Sequence, residues 1–528
     1  MTTTIFTNGR IYTQDPVHPY VEAIVARDGR IVDLGSHADM QLQWGRHDAK
    51  YVDLQGKLAT PGLIDSHLHL GWLGSTFLQL DLNKTTSKDE MLATIKQAAS
   101  EKTADEWLIG KGWDENQFVQ GGIPTREELD AVAPHCPIFL NRVCGHAVLV
   151  NSKALRLAGI ETRADAIAAG LIGANEELTG LLLETAANVV KKHIPEPDFA
   201  QLKEQTRKAI QHAMQLGLTG AHTEDLRDLG GLNQTYRIYD ELLNEEGLGL
   251  RCNLLLYYPH LPSIRESRLR TGFGNHNLSI GAVKLFADGA LGRRTAYLSA
   301  PYADDPTTSG MPIHSQEELF DIMREARSLN MTIAVHTIGD KALDMVLDGL
   351  RQFPTVPYRD RIIHTQILRP DQLAALKDDS KIVDIQPRFV ASDFPWVEER
   401  VGKERIQHSY SWKTMIDAGI HCAGGSDAPV EPLDPLLGLH AAVTRKAPGE
   451  THGGYYPEQK LTMQEAIHLF TVGGAMATNE EQHKGTLSRG KLADMTVYSQ
   501  DLFTVEPDAL LSTDISMTII GGKVCYAK

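Results

Sequence analysis

Two histidines one residue apart, His67 and His69, follow the short apolar run Gly62-Leu63-Ile64. Residues two apart on a strand point to the same side. Both imidazoles would therefore project together from a strand's C-terminal end, and paired neutral imidazoles suit a divalent transition metal. Alone, the pair reads equally well as two histidines capping a strand. The same residue types recur, however, where later apolar runs stop: Val335-His336-Thr337, Ile363-His364-Thr365 and Gly424-Gly425-Ser426-Asp427. A single histidine at a strand end is commonly structural. Core packing does not explain a metal-competent residue at several chain-distant strand ends.

Lys284 is the unusual member of the group, because Val283-Lys284-Leu285-Phe286 places an ammonium in an apolar strand. It could be a buried lysine paired with a carboxylate, Asp288 being the nearby candidate, or it could reach outward to solvent. A third reading is chemical. Burial lowers a lysine pKa, and a neutral amine can add carbon dioxide to become a carbamate, an anion able to bridge two metals.

Residues so far apart in sequence need a scaffold that makes them converge. The middle of the chain alternates short branched runs with helical patterns, the signature of parallel β/α units. Eight such runs are expected to be strands: 62–65, 217–221, 251–256, 281–285, 332–335, 361–363, 381–385 and 419–423. That is the number in a closed (β/α)8 barrel, whose strand ends meet at one mouth. The fold expectation is α/β, a TIM-like (β/α)8 barrel over residues 61–484. The distance from His69 to Gly217 exceeds a simple βα return, so residues 72–205 are expected to be an inserted lid or substrate subdomain. They carry helical stretches such as 89–102 and 199–216. Hairpin signals mark both chain ends, Asp28-Gly29 near one and Gly521-Gly522 near the other. Neither end is long enough for its own core, so residues 1–60 and 485–528 are expected to form one composite β-sandwich.

Composition bounds the function. With 42% hydrophobic and 23% charged residues, the chain of 528 residues is globular. A formal net charge of −16 repels phosphate backbones and anionic lipid, so no nucleic acid and no membrane is expected as partner. The five cysteines form no Cys-x-x-Cys pair, which argues against a disulfide framework or thiolate metal site and fits a cytoplasmic setting. The start has no signal-like pattern, and no run of about 18 apolar residues appears.

Taken together these stretches resemble the amidohydrolase superfamily, in its family 3 branch of N-substituted formamide deformylase-like proteins. The resemblance runs over nearly the whole chain. It rests on Ala59-Thr60-Pro61-Gly62-Leu63-Ile64-Asp65-Ser66-His67-Leu68-His69, Val283-Lys284-Leu285-Phe286-Ala287-Asp288-Gly289, Val335-His336-Thr337-Ile338-Gly339-Asp340, Ile363-His364-Thr365 and Gly425-Ser426-Asp427-Ala428-Pro429-Val430. Within the insertion, Gly112-Trp113-Asp114 and Gly145-His146-Ala147-Val148-Leu149-Val150-Asn151-Ser152 are similar to the same branch.

The resemblance implies one or two divalent metals, most naturally Zn2+. His67, His69 and Asp427 would hold the deeper one and His336 and His364 the second. A CO2-derived carbamate on Lys284 would bridge them. It also implies hydrolysis of an amide-type, non-peptide C–N bond, N-acyl or N-formyl, in a small molecule. Metal binding lowers the pKa of water from about 15.7 toward 7, and Asp427 would take a proton from the attacking water and return it to the leaving amine. Trp113, Asp114 and His146 are candidate substrate contacts, as is Arg294, which could clamp a carboxylate. A deaminase or cyclic amidase could run on the same ligands. A non-catalytic structural barrel would be expected to lack some of them, and all six are present. A homodimer is the default expectation for assembly.

Overall fold

The computed structural model describes residues 3–45, 48–119, 122–143, 146–172, 177–354 and 358–528. The chain divides into two units, 1–73 with 206–528, and 74–205.

The first unit contains eight parallel strands that neighbour one another in sequence order. They are β1 (Leu63–Leu68), β2 (Leu218–Thr223), β3 (Arg251–Tyr257), β4 (Leu278–Phe286), β5 (Ile333–Thr337), β6 (Asp360–His364), β7 (Lys381–Ile385) and β8 (Cys422–Gly424). Strands covered on both faces must be apolar almost throughout, and Leu254, Leu255, Leu256, Ile362, Ile363, Ile382 and Val383 are all buried. The sheet's two edges meet beyond β8. Asp427 N–H donates to His67 O at 2.7 Å and His69 N–H to Ala428 O at 2.8 Å. The barrel is thereby nearly closed.

Helices between the strands follow from local sequence. Gln316–Ser328 opens on a capping box, Ser315 with Glu318, and buries Leu319, Met323 and Ala326 on one face. β8 is shorter than the run 419–423. The preceding helix Trp412–Asp417 ends in a Schellman turn, with Ile420 N–H donating to Met415 O at 3.0 Å and Gly419 N–H to Ile416 O at 2.9 Å. Gly419 takes the left-handed φ of 79° that this turn requires, so its neighbours cannot begin the strand.

Two further sheets belong to the first unit. One has four strands, in the order Arg30–Gly35, Ala23–Arg27, Thr3–Thr7 and Ala49–Asp53. The other has six, in the order Lys523–Ala527, Ile515–Ile520, Met495–Tyr498, Leu58–Pro61, Arg10–Tyr12 and Tyr20–Val21. The second sheet draws on both ends of the chain. Phe6, Ile24 and Leu34 share one buried apolar cluster with Met495, Val497 and Ile519. Arg251, opening β3, ties this region to the barrel through a two-pronged pair with Asp494, at 2.7 and 2.9 Å.

The second unit holds a five-stranded mixed sheet, in the order Leu181–Leu183, Ala147–Val150, Ile138–Arg142, Leu108–Trp113 and Leu80–Asp81. Alternation along its strands sends side chains to two cores. Ile138, Leu140 and Leu149 pack with Met91 and Ile95 of helix Lys88–Ser100, while Phe139, Val148 and Val150 pack with Ala154 and Leu155 of helix Ser152–Leu157. Among the described residues, no helix is long and apolar enough to cross a membrane.

Candidate functional site

At the end of β1, His67 is the penultimate residue of the strand and His69 lies just past it. Asp65 positions the first of them. Its carboxylate accepts from His67 N–H at 3.1 Å and, through both oxygens, from Ser426 N–H at 3.1 Å. This bond and the backbone pairings beyond β8 hold Asp427 beside the two imidazoles. Asp427 Oδ1 lies 3.5 Å from His67 Nε2 and 3.3 Å from His69 Nε2. Asp427 adopts a φ of 60°, a left-handed conformation that aspartate tolerates better than most residues. One carboxylate oxygen thus faces two imidazole nitrogens around a common point. The three donor atoms all lie within 4.8 Å of one another.

β5 and β6 bring the other two histidines alongside. The His336 and His364 rings are 4.6 Å apart, and His364 is 5.8 Å from His67. His364 and Thr365 have φ of 81° and 47°, consecutive left-handed residues at a strand end. Such strain persists only where the surroundings enforce it and is concentrated at functional sites.

Three of the four imidazoles have a fixed partner on the outer nitrogen. His69 Nδ1 donates to Glu224 O at 2.7 Å, His364 Nδ1 to Gln386 Oε1 at 2.7 Å, and His336 Nε2 to Gly289 O at 3.0 Å. A protonated, bonded nitrogen on one side leaves a lone pair on the other, which is how a metal-binding imidazole is oriented. His67 Nδ1 is buried with no hydrogen-bond partner, a nitrogen that ordinary core packing would not leave unmatched. Two imidazoles and a carboxylate around one point, with further imidazoles beside them, fit a divalent transition metal.

Lys284, on β4, is buried, and its Nζ lies 2.9 Å from His67 Nε2. The lysine is therefore not paired with Asp288. Asp288 accepts instead from the backbone N–H groups of Tyr297, Ile338 and Gly339, at 2.8, 3.0 and 2.8 Å. Burial above all lowers the Lys284 pKa to about 8, with the charges of Arg361 and Arg227 acting in the same direction. Burial pushes Asp288 up to about 7. It pushes His364 down to about 4 and holds His67 and His336 well below the usual imidazole range. Burial also opposes a charge on Asp427, but the His69 hydrogen bond and the positive field of His364, His69 and Lys284 outweigh it and lower its pKa. Asp427 is accordingly the anion of the site.

The remaining sequence candidates have other occupations. Trp113 is fully buried in the second unit's core, and its Nε1 donates to Leu140 O at 3.0 Å. Asp114 caps the turn Glu115–Gln117 and pairs with Arg142 at 2.9 Å. His146 is exposed, 3.2 Å from Glu184; Gly145 before it lies outside the described residues. The Arg294 guanidinium is committed to Asp304, at 3.2 and 2.8 Å. Conversely, the structure places three further groups at the site: Gln386, which the sequence puts at the mouth as the end of the seventh strand without giving it a role, and Asp65 and the Glu224 carbonyl, to which the sequence gives no role. Only the side chain of Gln386, at the end of β7, has a positional signal. The others act through backbone contacts that residue type does not reveal.

Comparison with known proteins agrees with this geometry. Residues 50–526 match the model of the amidohydrolase family. The protein YtcJ of Bacillus subtilis (strain 168) is 40% identical over 528 residues, 99% of each chain. N-substituted formamide deformylase of Arthrobacter pascens is 24% identical over 544 residues, 99% of this chain and 98% of that one. Among solved structures, an uncharacterized metal-dependent hydrolase from Pyrococcus furiosus superposes with a TM-score of 0.79 at 30% identity, over 95% of this chain and 100% of that one. Barrel, converging ligands and full-length similarity give one answer: the chain belongs to the amidohydrolase family and is a hydrolase.

Proposed function

We propose that the protein hydrolyses an amide-type, non-peptide C–N bond in a small molecule, an N-acyl or N-formyl amine. One observation carries this reading: the Asp427 carboxylate lies 3.5 and 3.3 Å from the two imidazole nitrogens of His67 and His69. The name of the Arthrobacter pascens relative, a formamide deformylase, supports the choice of bond. His67, His69 and Asp427 would hold one divalent metal, His336 and His364 a second, and Lys284, as a carbamate, would bridge them. Zn2+ matches imidazole, carboxylate and carbamate donors best. Bound metal would acidify water and polarise the scissile carbonyl.

The chain's own groups handle the proton. Asp427 accepts it from the attacking water and delivers it to the leaving nitrogen, a contribution of roughly 10²–10⁴-fold. Phe286 against His336, at 5.3 Å, and Phe389 stacked on His364, at 5.8 Å, give the imidazoles apolar walls that exclude bulk water. The reading extends to a cytoplasmic enzyme, probed as a homodimer by default, that meets neither nucleic acid nor membrane. The net charge of −16 and the free Cys136, Cys252, Cys422 and Cys525 support that setting.

The test is direct. Chelated protein should lose hydrolysis of N-formyl and N-acyl amines and regain it with Zn2+. Full activity in metal-free protein overturns the mechanism. For Lys284, native mass measurement of metallated, bicarbonate-supplied protein should show the added carbamate. An unmodified ammonium there refutes the bridge.

A further inference from the structure

Just past the end of β2, Glu224 is completely buried, with Oε1 accepting from Leu226 N–H at 3.1 Å. Its other oxygen takes a single hydrogen bond from Arg227 Nε, also at 3.1 Å. The guanidinium lies over two aromatic rings. Its Cζ lies 5.1 Å from the ring centre of Tyr257, the last residue of β3, and 5.2 Å from that of Phe286, the last residue of β4. An arginine over aromatic faces loses orientational freedom without losing its donors.

Three facts make this arginine more than a counter-ion for Glu224. A guanidinium has two donor edges, and Glu224 engages only the Nε side. Among the described residues, no hydrogen-bond acceptor meets Nη1 or Nη2, and the side chain is 44% exposed. Lastly, Phe286 touches the site itself: its ring is 5.3 Å from His336 and 5.1 Å from Lys284 Nζ. One aromatic ring therefore separates Arg227 from the metal-competent residues. Other arginines at strand ends are differently placed. Arg294 spends Nε and Nη2 on Asp304, while Arg388 gives Nε to Glu431 at 3.0 Å and has its Nη1 enclosed by protein.

We propose that the Nη1–Nη2 edge of Arg227 binds a carboxylate carried by the substrate, so that the preferred substrates are N-acyl or N-formyl derivatives of amino-carboxylic acids. This rests on the amide-hydrolase reading above and names the substrate class within it. The planar fork matches a carboxylate bidentately, and charged, paired hydrogen bonds of this kind are worth about 10- to 100-fold in affinity. Buried Glu224 fixes the fork's direction.

The probes are ω-(formylamino) and ω-(acetylamino) carboxylic acids of increasing chain length, each compared with its own primary amide. Metal-loaded wild type, Arg227→Ala and Arg227→Lys are assayed for amine release and, separately, for binding by calorimetry. Arg227→Lys keeps a cation opposite Glu224 and so guards against a folding failure in the alanine variant, but it lacks the fork. Wild type should favour the acid over its amide by about 10-fold or more at the best chain length. That ratio should fall to about 1 in Arg227→Ala and stay well below wild type in Arg227→Lys. An acid-to-amide ratio unchanged in both variants, or absent in wild type, overturns the proposal. Carboxylates that bind in an Arg227-dependent way without turnover would sink the amide-hydrolase reading while upholding this site.

Discussion

Both carboxylate oxygens of Asp65 lie 3.1 Å from the backbone nitrogen of Ser426, so a side chain within β1 grips the loop that follows β8. The grip acts at the seam of the barrel. It sets the Asp427 backbone one residue on, and the same carboxylate holds His67 N–H. Gly425 stands at this seam because a Cβ there would fall 2.7 Å from His67 N.

Removing that grip should loosen the site without removing a ligand. Asp65→Ala is expected to weaken metal binding by about 10- to 100-fold, the usual effect of losing an orienting group behind the ligands. Asp65→Asn retains one acceptor oxygen and should lose less. Competition with a graded series of chelators gives both affinities. Wild-type affinity in the alanine variant would show that the strand pairing alone places Asp427.

In the proposed mechanism Asp427 has two duties, ligand and proton carrier, which a conservative replacement separates. Asp427→Asn preserves shape and one oxygen but cannot accept the proton. With metal content restored by excess Zn2+, kcat should stay depressed by roughly 10²–10⁴-fold. Measured kcat that recovers in step with metal content would leave Asp427 a ligand only.

Much of this scaffold is legible in the sequence. All eight barrel strands announce themselves as short branched runs ending in polar residues, because strands buried on both faces have no other composition open to them. Asp28-Gly29 and Gly521-Gly522 read as hairpin turns, and all four residues take positive φ, as a primed turn demands. The proposed ligands stand out because strand ends concentrate them. What stays hidden is pairing. Asp65, His67 and Ser426 meet through backbone nitrogens, which no residue type encodes. Lys284 has Asp288 close in sequence, yet the β-strand geometry puts His67 next to it instead. Arg294 and Arg227 look alike as letters; only the positions of Asp304 and Glu224 show which one keeps a donor edge open.

The Arg251–Asp494 pair tests how firmly the C-terminal strands are joined to the barrel. Both side chains are 8% exposed, and the contact is two-pronged. Truncating one partner leaves a buried charge unmatched, which costs about 3–5 kcal/mol. Arg251→Ala should lower the urea midpoint accordingly, and Arg251→Ala with Asp494→Ala should recover part of the loss. A single mutant as stable as wild type would mean that water replaces the pair.

Asp393 makes stability depend on pH in a direction opposite to the usual surface carboxylate. Burial, chiefly, raises its pKa from 3.8 to about 7, and the charge of Glu431 adds to this, although Tyr410 Oη and Gln366 Nε2 donate to it. Between those two values the folded state holds a proton that the unfolded state has released. Stability must therefore fall as pH rises through this window. Below it both states are protonated and nothing is lost. Within it each step of one pH costs about 1.4 kcal/mol, and above it the accumulated penalty applies in full. Asp393→Asn removes the titration while keeping the shape. Urea midpoints of the two proteins, measured at matched pH values, should diverge steadily from about pH 4 to pH 7, with the asparagine variant gaining. A difference that stays constant across the window would assign Asp393 an ordinary pKa in the folded protein.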